Sequence, residues 1–173
     1  MKLNPQQLRQ LQERISAGDQ EAFAALYRLF FMRLFNFTKM YVHNRAAAEE
    51  LVNDIMLKVW YRRGDILAIG NLETYLFVAA RNHSLNHLAQ PSPFQITLEP
   101  ESGALEIVNT DDPERLLEWR EIYQLLEQAV EELPDGCRTV FKLIKEEGLS
   151  YKQVAEILGV SPRTVETQLV RAM

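Results

Sequence analysis

Ala80-Arg81-Asn82-His83-Ser84-Leu85-Asn86-His87 is unusually rich in amide and imidazole groups. Arg81, Asn82 and Asn86 can donate to phosphate oxygens or read base edges, and Tyr75 offers a face on which a base can stack. His83 and His87 are spaced i, i+4, which also suits a metal ion. No third ligand lies nearby, however, and neither an HExxH motif nor a Cys/His cluster occurs. The chain also lacks a nucleophile–base–orienter grouping and a phosphate-cradling glycine loop. It is therefore expected to have no catalytic residues, metal or cofactor, and to act by binding.

A second group of candidates lies in Leu149–Met173. Ser150 followed by Gln153 is a capping-box start, so a helix is expected from Tyr151. Val154, Ile157 and Leu158 repeat at helical spacing, and Gly159 can take the left-handed conformation that ends a helix. Ser161 caps a second helix, with Pro162 at its first position, where no amide donor is needed. Val165 and Leu169 point inward, leaving Arg163, Glu166, Thr167, Val170 and Arg171 outward. Ala155 is small enough for two helices to cross closely. The pattern is a helix-turn-helix with a polar outer face, the arrangement that enters a DNA major groove. An ordinary helical hairpin is the plainer alternative.

The elements that must position these groups are all helical. Asn4-Pro5 opens a short helix carrying Leu8, Leu11 and Ile15, closed by Gly18. Asp19 caps a long helix whose stripe Phe23, Leu26, Tyr27, Phe30, Leu34, Phe37 and Tyr41 reads as core. Asn44 starts a helix over Arg45 to Tyr61 with Ala48, Leu51, Ile55 and Val59 inward. Its other face gathers Glu50, Asn53, Asp54, Leu57 and Lys58, either a solvated face or a docking face for a partner helix. A turn-rich loop follows, and Asn71 caps a helix from Leu72 to about Leu88 with Tyr75, Leu76, Ala79 and His83 along one side. From Gln90 to Asp112 periodicity disappears, and only Phe94–Leu98 alternates weakly like a strand. Asp112-Pro113 opens a helix showing Leu116, Trp119, Tyr123, Leu126, Val130 and Leu133, which Pro134 stops. The next helix, Asp135–Glu147, is expected to bury Cys137, Val140, Phe141 and Ile144.

Charge is unevenly spread. The chain of 173 residues carries −5 overall. Residues 1–88 hold 11 Lys+Arg and 8 Asp+Glu, residues 89–114 hold none and 6, and residues 115–173 hold 8 and 10. So little positive charge predicts weak unaided DNA affinity, since few phosphates can be neutralised. A partner must supply the rest. One cysteine allows no internal disulfide, and neither a membrane-spanning run nor a signal-peptide core is evident, so a cytoplasmic home is expected.

Four stretches in order resemble the sigma-70 family of bacterial RNA polymerase sigma factors, and the length resembles its extracytoplasmic function (ECF) group. Ala48-Glu49-Glu50-Leu51-Val52-Asn53-Asp54-Ile55-Met56-Leu57-Lys58-Val59-Trp60 is similar to the family's polymerase-clamp-binding helix. Tyr75-Leu76-Phe77-Val78-Ala79-Ala80-Arg81-Asn82 is similar to its promoter-melting helix. Leu133-Pro134 through Arg138-Thr139-Val140-Phe141, then Gly148-Leu149-Ser150-Tyr151 through Thr164-Val165 and Arg171-Ala172, resemble its upstream-element domain.

The resemblance implies an all-α chain of two small helical domains, 1–89 (region 2-like) and 113–173 (region 4-like), joined by a flexible acidic linker, 90–112. It implies core RNA polymerase binding through Glu50, Asn53, Asp54, Leu57 and Lys58. The loop Gly64 to Asn71 would pocket an extruded base, with Tyr75, Arg81, Asn82 and Asn86 on the single-stranded −10 element. Lys152, Arg163, Thr164, Glu166, Thr167 and Arg171 would meet the −35 duplex. The linker would follow the polymerase's nucleic-acid path, and an anti-sigma factor would be a further partner. Tyr75 stands where a tryptophan is common, and Leu88-Ala89-Gln90-Pro91 where basic residues often follow. The chain stops at Met173 inside the second helix of the helix-turn-helix, so a shortened C terminus is expected. A stand-alone helix-turn-helix regulator is the alternative, but residues 1–88 lack a receiver's alternating strands and phosphoacceptor carboxylates. An enzyme using His83 and His87 is the other.

Overall fold

The computed structural model describes the backbone of residues 3–91 and 113–173, with side chains from 119 onward in the second run. The acidic linker, and with it the weak strand-like stretch Phe94–Leu98, falls almost wholly outside the described residues. Every regular element among those described is a helix, as the all-α expectation required. No helix among them is long and apolar enough to cross a membrane.

The first half is built from four helices whose starts are written in their caps. The Asn4 side chain accepts from the Gln7 amide at 2.8 Å, and the Gln7 side chain accepts from the Asn4 amide at 3.0 Å. This capping box opens α1, Pro5–Ser16. Gly18, at φ +86°, makes the turn a side chain would resist. The Asp19 carboxylate then accepts from the Ala22 amide and opens α2, Gln20–Val42. That bond, with the Arg14 guanidinium at 2.7 Å, holds the Asp19 carboxyl below its ordinary range. Asn44 and Asn71 cap α3, Arg45–Tyr61, and α4, Leu72–Ala89, in the same way.

Leu26, Phe30, Leu34 and Phe37 of α2 are buried as their spacing requires, and Phe37 meets Phe77 of α4 edge-on at 5.3 Å. One inward face here differs from expectation. In α3, Val52 and Met56 are buried with Ala48, Ile55 and Val59, whereas Leu51 is only half-buried. The helix is gripped by α2 on one side and α4 on the other, so its buried face is wider than one stripe. In α4 the core takes Leu72, Leu76, Phe77, Ala80 and Ser84, while Tyr75 turns to solvent. The loop between α3 and α4 is a 3₁₀ turn, Arg63–Ala68, rather than irregular chain.

The second half begins with α5, Pro113–Glu131. Its stripe is helical in period; the Leu116 side chain lies outside the described residues, and among those described in the helix Trp119, Tyr123 and Leu126 are exposed and only Val130 is buried. α6, Asp135–Phe141, runs on as a π turn, Lys142–Glu146. The wider turn shifts the inward phase, so Leu143 is buried with Cys137 and Val140, while Phe141 and Ile144 are half-exposed. α7, Tyr151–Leu158, and α8, Pro162–Ala172, complete this half.

The halves touch where α7 lies against α4. Arg33 of α2 bridges them, donating to Glu73 of α4 at 2.7 Å and to Glu147, just before α7, at 2.6 Å. Gln153 of α7 reaches the Thr74 hydroxyl at 3.3 Å. Burial opposes the Arg33 charge, but hydrogen bonds to the two carboxylates outweigh it and hold the guanidinium above its ordinary pKa.

Candidate nucleic-acid interface

The helix-turn-helix forms as its residues dictate. The Ser150 hydroxyl accepts from the Gln153 amide and the Gln153 side chain accepts from the Ser150 amide, so α7 starts at Tyr151. Gly159 ends it at φ +67°. The Ser161 hydroxyl accepts from the Thr164 amide at 3.0 Å, and Pro162 occupies the first position of α8. Val165 and Leu169 are buried, and Ala155 lies buried in α7. Arg163, Thr164, Glu166, Thr167 and Arg171 are all exposed, as is Lys152 at the start of α7. The two threonine hydroxyls are already engaged, Thr164 with Ser161 at 2.8 Å and Thr167 with the Arg163 carbonyl at 2.9 Å. That engagement favours their methyl groups as the outward chemistry.

On α4, Tyr75 is 41% exposed and Asn82 and Asn86 are exposed. Spacings of seven and four place all three along one side of the helix. Arg81 departs from that side. It is half-buried and lies by the Tyr41 phenol, whose pKa burial pushes up and the Arg81 charge pulls partly back.

On α3, Glu50, Asn53, Asp54, Leu57 and Lys58 are exposed together, with Leu57 at 48%. Two of them have partners that sequence spacing does not reveal. The Tyr27 hydroxyl donates to Asn53 at 2.8 Å, and Lys58 Nζ lies 3.2 Å from His83 Nε2. Burial lowers the His83 pKa, Lys58 lowers it further, and Asp54 opposes them. A neutral imidazole can then accept from the ammonium. His83 thus belongs to the α3 face, and no group of three metal-ligating side chains exists among the described residues.

The loop before α4 carries a feature that no motif announced. Arg63 lies over the Trp60 ring at 4.7 Å, and Tyr61 beside it is strongly exposed. The only sequence signal for it is two aromatics followed by two arginines.

A sigma-70 region 2 model matches residues 26–92, and a sigma-70 region 4 model matches residues 123–173. The chain belongs to the sigma-70 family. Among its relatives, the RNA polymerase sigma-H factor of Pseudomonas aeruginosa is 27% identical over 177 residues, covering 98% of this chain and 92% of the relative. The ECF RNA polymerase sigma-E factor of Escherichia coli K12 is 27% identical over 171 residues, covering 94% and 88%. These relatives place this sigma factor in the ECF group. Two solved structures share the fold. CnrH in complex with the cytosolic domain of CnrY matches with a TM-score of 0.61 at 18% identity, over 95% of this chain and 90% of CnrH. The Bartonella quintana sigma factor RpoE in complex with the anti-sigma factor NepR gives 0.58 at 22%, over 87% and 91%. Transcription initiation is thus the family's business; sigma factors are initiation factors rather than enzymes.

Proposed function

We propose that the chain docks on core RNA polymerase and directs initiation at promoters it selects by two contacts. The exposed α3 face (Glu50, Asn53, Asp54, Leu57, Lys58) meets the polymerase. The α4 side with Tyr75, Asn82 and Asn86 holds the single-stranded −10 element, Arg81 lying at its margin, and the loop from Gly64 to Asn71 receives an extruded base. Unstacking costs a few kcal/mol per base, and stacking on Tyr75 returns about 1–3. On α8, Arg163 and Arg171 suit guanine or phosphate, Glu166 suits cytosine, and Thr164 and Thr167 suit thymine methyls; Lys152 suits phosphate. The observation that carries this reading is the helix-turn-helix of α7 and α8, capped and packed so that its polar face is exposed, on a chain matching both sigma-70 regions. The division into 1–89 and 113–173 follows from the same reading. An anti-sigma factor is the proposed regulatory partner, as for the Bartonella quintana protein.

The −10 and −35 elements lie about 25 base pairs apart, roughly 85 Å of duplex at 3.4 Å per step. α4, α7 and α8, laid end to end, measure only about 55 Å. The halves must therefore part on the promoter, breaking the Arg33–Glu147 bridge. Residues 90–112 can reach at most about 80 Å, long enough to allow it.

The test is Asp54→Arg in a core-polymerase pull-down with run-off transcription. Asp54 is exposed, so the fold should survive while polymerase binding and transcription are lost. Retained association would refute the docking assignment.

A further inference from the structure

Helix α1 lies outside both matched family regions, which begin at residue 26. Nothing described above gives it a role, yet it carries a polar side chain that is almost wholly buried. Gln12 is 3% exposed, and its amide nitrogen donates to the Ile66 carbonyl at 2.8 Å and the Ile69 carbonyl at 3.0 Å. Three residues earlier, the Arg9 guanidinium donates to the Leu67 carbonyl at 2.8 Å. Three carbonyls of the run 66–69 are thus tied to one helix more than fifty residues away in sequence.

The reason lies in the turn itself. A 3₁₀ helix of six residues leaves its last carbonyls without intrahelical partners. Here Arg9 serves the Leu67 carbonyl, while Gln12 serves the Ile69 carbonyl just beyond the turn and is a second donor to the Ile66 carbonyl, which already accepts from the Ile69 amide at 3.2 Å. The buried Ile66 side chain anchors the turn as well. The opposite surface, with Leu67, Ala68, Gly70 and Asn71, stays exposed. Asn71 then caps α4, so the conformation of this run passes directly into the helix bearing Tyr75, Asn82 and Asn86. A Gln is suited to the task because one NH₂ can serve two carbonyls at once.

We propose that Gln12 and Arg9 are positioning residues for the loop from Gly64 to Asn71, which makes α1 part of −10 recognition rather than an appendage of the core. The inference rests on the loop receiving the extruded base, as proposed above. It requires that loosening α1 from the loop change which base is accepted, not only how well the chain folds.

The test uses the full chain with core polymerase and promoters varied singly at each −10 and −35 position. Open complex is read by permanganate reactivity of unpaired thymines. Gln12→Met keeps the length and apolar fit but has no donor. It is expected to lower open-complex yield roughly tenfold, to flatten the preference at one −10 base, and to leave polymerase affinity and the −35 preferences as in the wild type. Arg9→Ala, at a partly exposed site, should flatten the same base more weakly, and Arg9→Lys should restore it. Should Gln12→Met lose its helical signal, the Arg9 pair carries the test. A uniform loss across all promoters, or an unchanged preference at every −10 base, overturns the proposal. If the wild-type chain opens no promoter, the promoter reading fails by itself. Hydrogen exchange then decides the positioning role: faster exchange of the amides from Gly64 to Asn71 in Gln12→Met supports it, and unchanged exchange overturns it.

Discussion

Replacing Ser161 by Ala removes the acceptor of the Thr164 amide and the hydroxyl paired with Thr164 Oγ1. Loss of such a cap costs about 1 kcal/mol. α8 has 11 residues and cannot stand alone in water, so its order depends on this cap and on the buried Val165 and Leu169. The size of the thermal shift then reports how the chain melts. Unfolding entropy is about 2.1 cal/mol/K per residue. Residues 113–173 melting alone would lose about 8 °C, and the whole chain melting as one unit only about 3 °C. Ser161→Asn keeps an acceptor and should restore Tm. Ser161→Asp also keeps the cap and adds charge favourable to the helix N-terminus, but that charge repels DNA phosphate. It should hold Tm while weakening −35 duplex binding. Melting by circular dichroism and duplex titration at fixed salt read both quantities. If Ala and Asn melt at the same temperature, the hydroxyl is not a cap. If Asp binds duplex as tightly as Ser, α8 does not present its N-terminus to DNA.

Other perturbations probe separate parts of the account. Tyr75→Ala should weaken single-stranded −10 binding by about 1–3 kcal/mol, while Tyr75→Trp keeps it; equal binding by all three would remove Tyr75 from the interface. Arg163→Ala should lower −35 affinity and, if it meets phosphate, reduce the salt slope by about one, measured by titration between 50 and 200 mM salt. His83 titrates below its ordinary pKa of 6.5 in the folded chain. The unfolded chain therefore binds its proton first as pH falls, and stability should decline from about pH 6.5 downward through the folded pKa. His83→Gln should flatten that decline in urea melts, and an unchanged slope would place the titration elsewhere. Glu147→Gln removes one side of the Arg33 bridge and should raise the radius of gyration from a compact value near 16 Å towards 23 Å, as two halves on a 23-residue tether would give. Unchanged scattering would show that other contacts hold the halves together.

Much of this structure was legible because caps and turns are local chemistry. Ser150 with Gln153, Gly159, and Ser161 with Pro162 place the helix-turn-helix to the residue, since each satisfies or omits a backbone donor within four positions. Inward phase was less readable where local rules are broken. The π turn over Lys142–Glu146 exchanges Ile144 for Leu143, and no residue type marks such a turn in advance. In α3, Val52 and Met56 are buried because two neighbours grip the helix, which a single-stripe pattern cannot express. The α5 stripe is periodic yet exposed at Trp119, Tyr123 and Leu126, because period reports which residues share a face and not whether anything covers it. Least legible were contacts that join distant positions. Arg33 meets Glu147 across 114 residues and Gln12 meets Ile66 across 54. The exposed candidates on α3, α4 and α8 are legible because their spacing is helical; Arg81, one residue from Asn82, falls about a quarter-turn away by the same spacing, and its partner there, Tyr41 of another helix, is what the sequence does not reveal.

Promoter recognition by this chain should require the polymerase. The decisive quantity is the affinity of the purified full chain for a promoter fragment, taken with and without core RNA polymerase at one salt concentration. Binding should be weak and sequence-independent for the chain alone, and specific and strand-opening once polymerase is added. Tight, specific binding to duplex by the chain alone, with no affinity for the polymerase, would contradict that requirement.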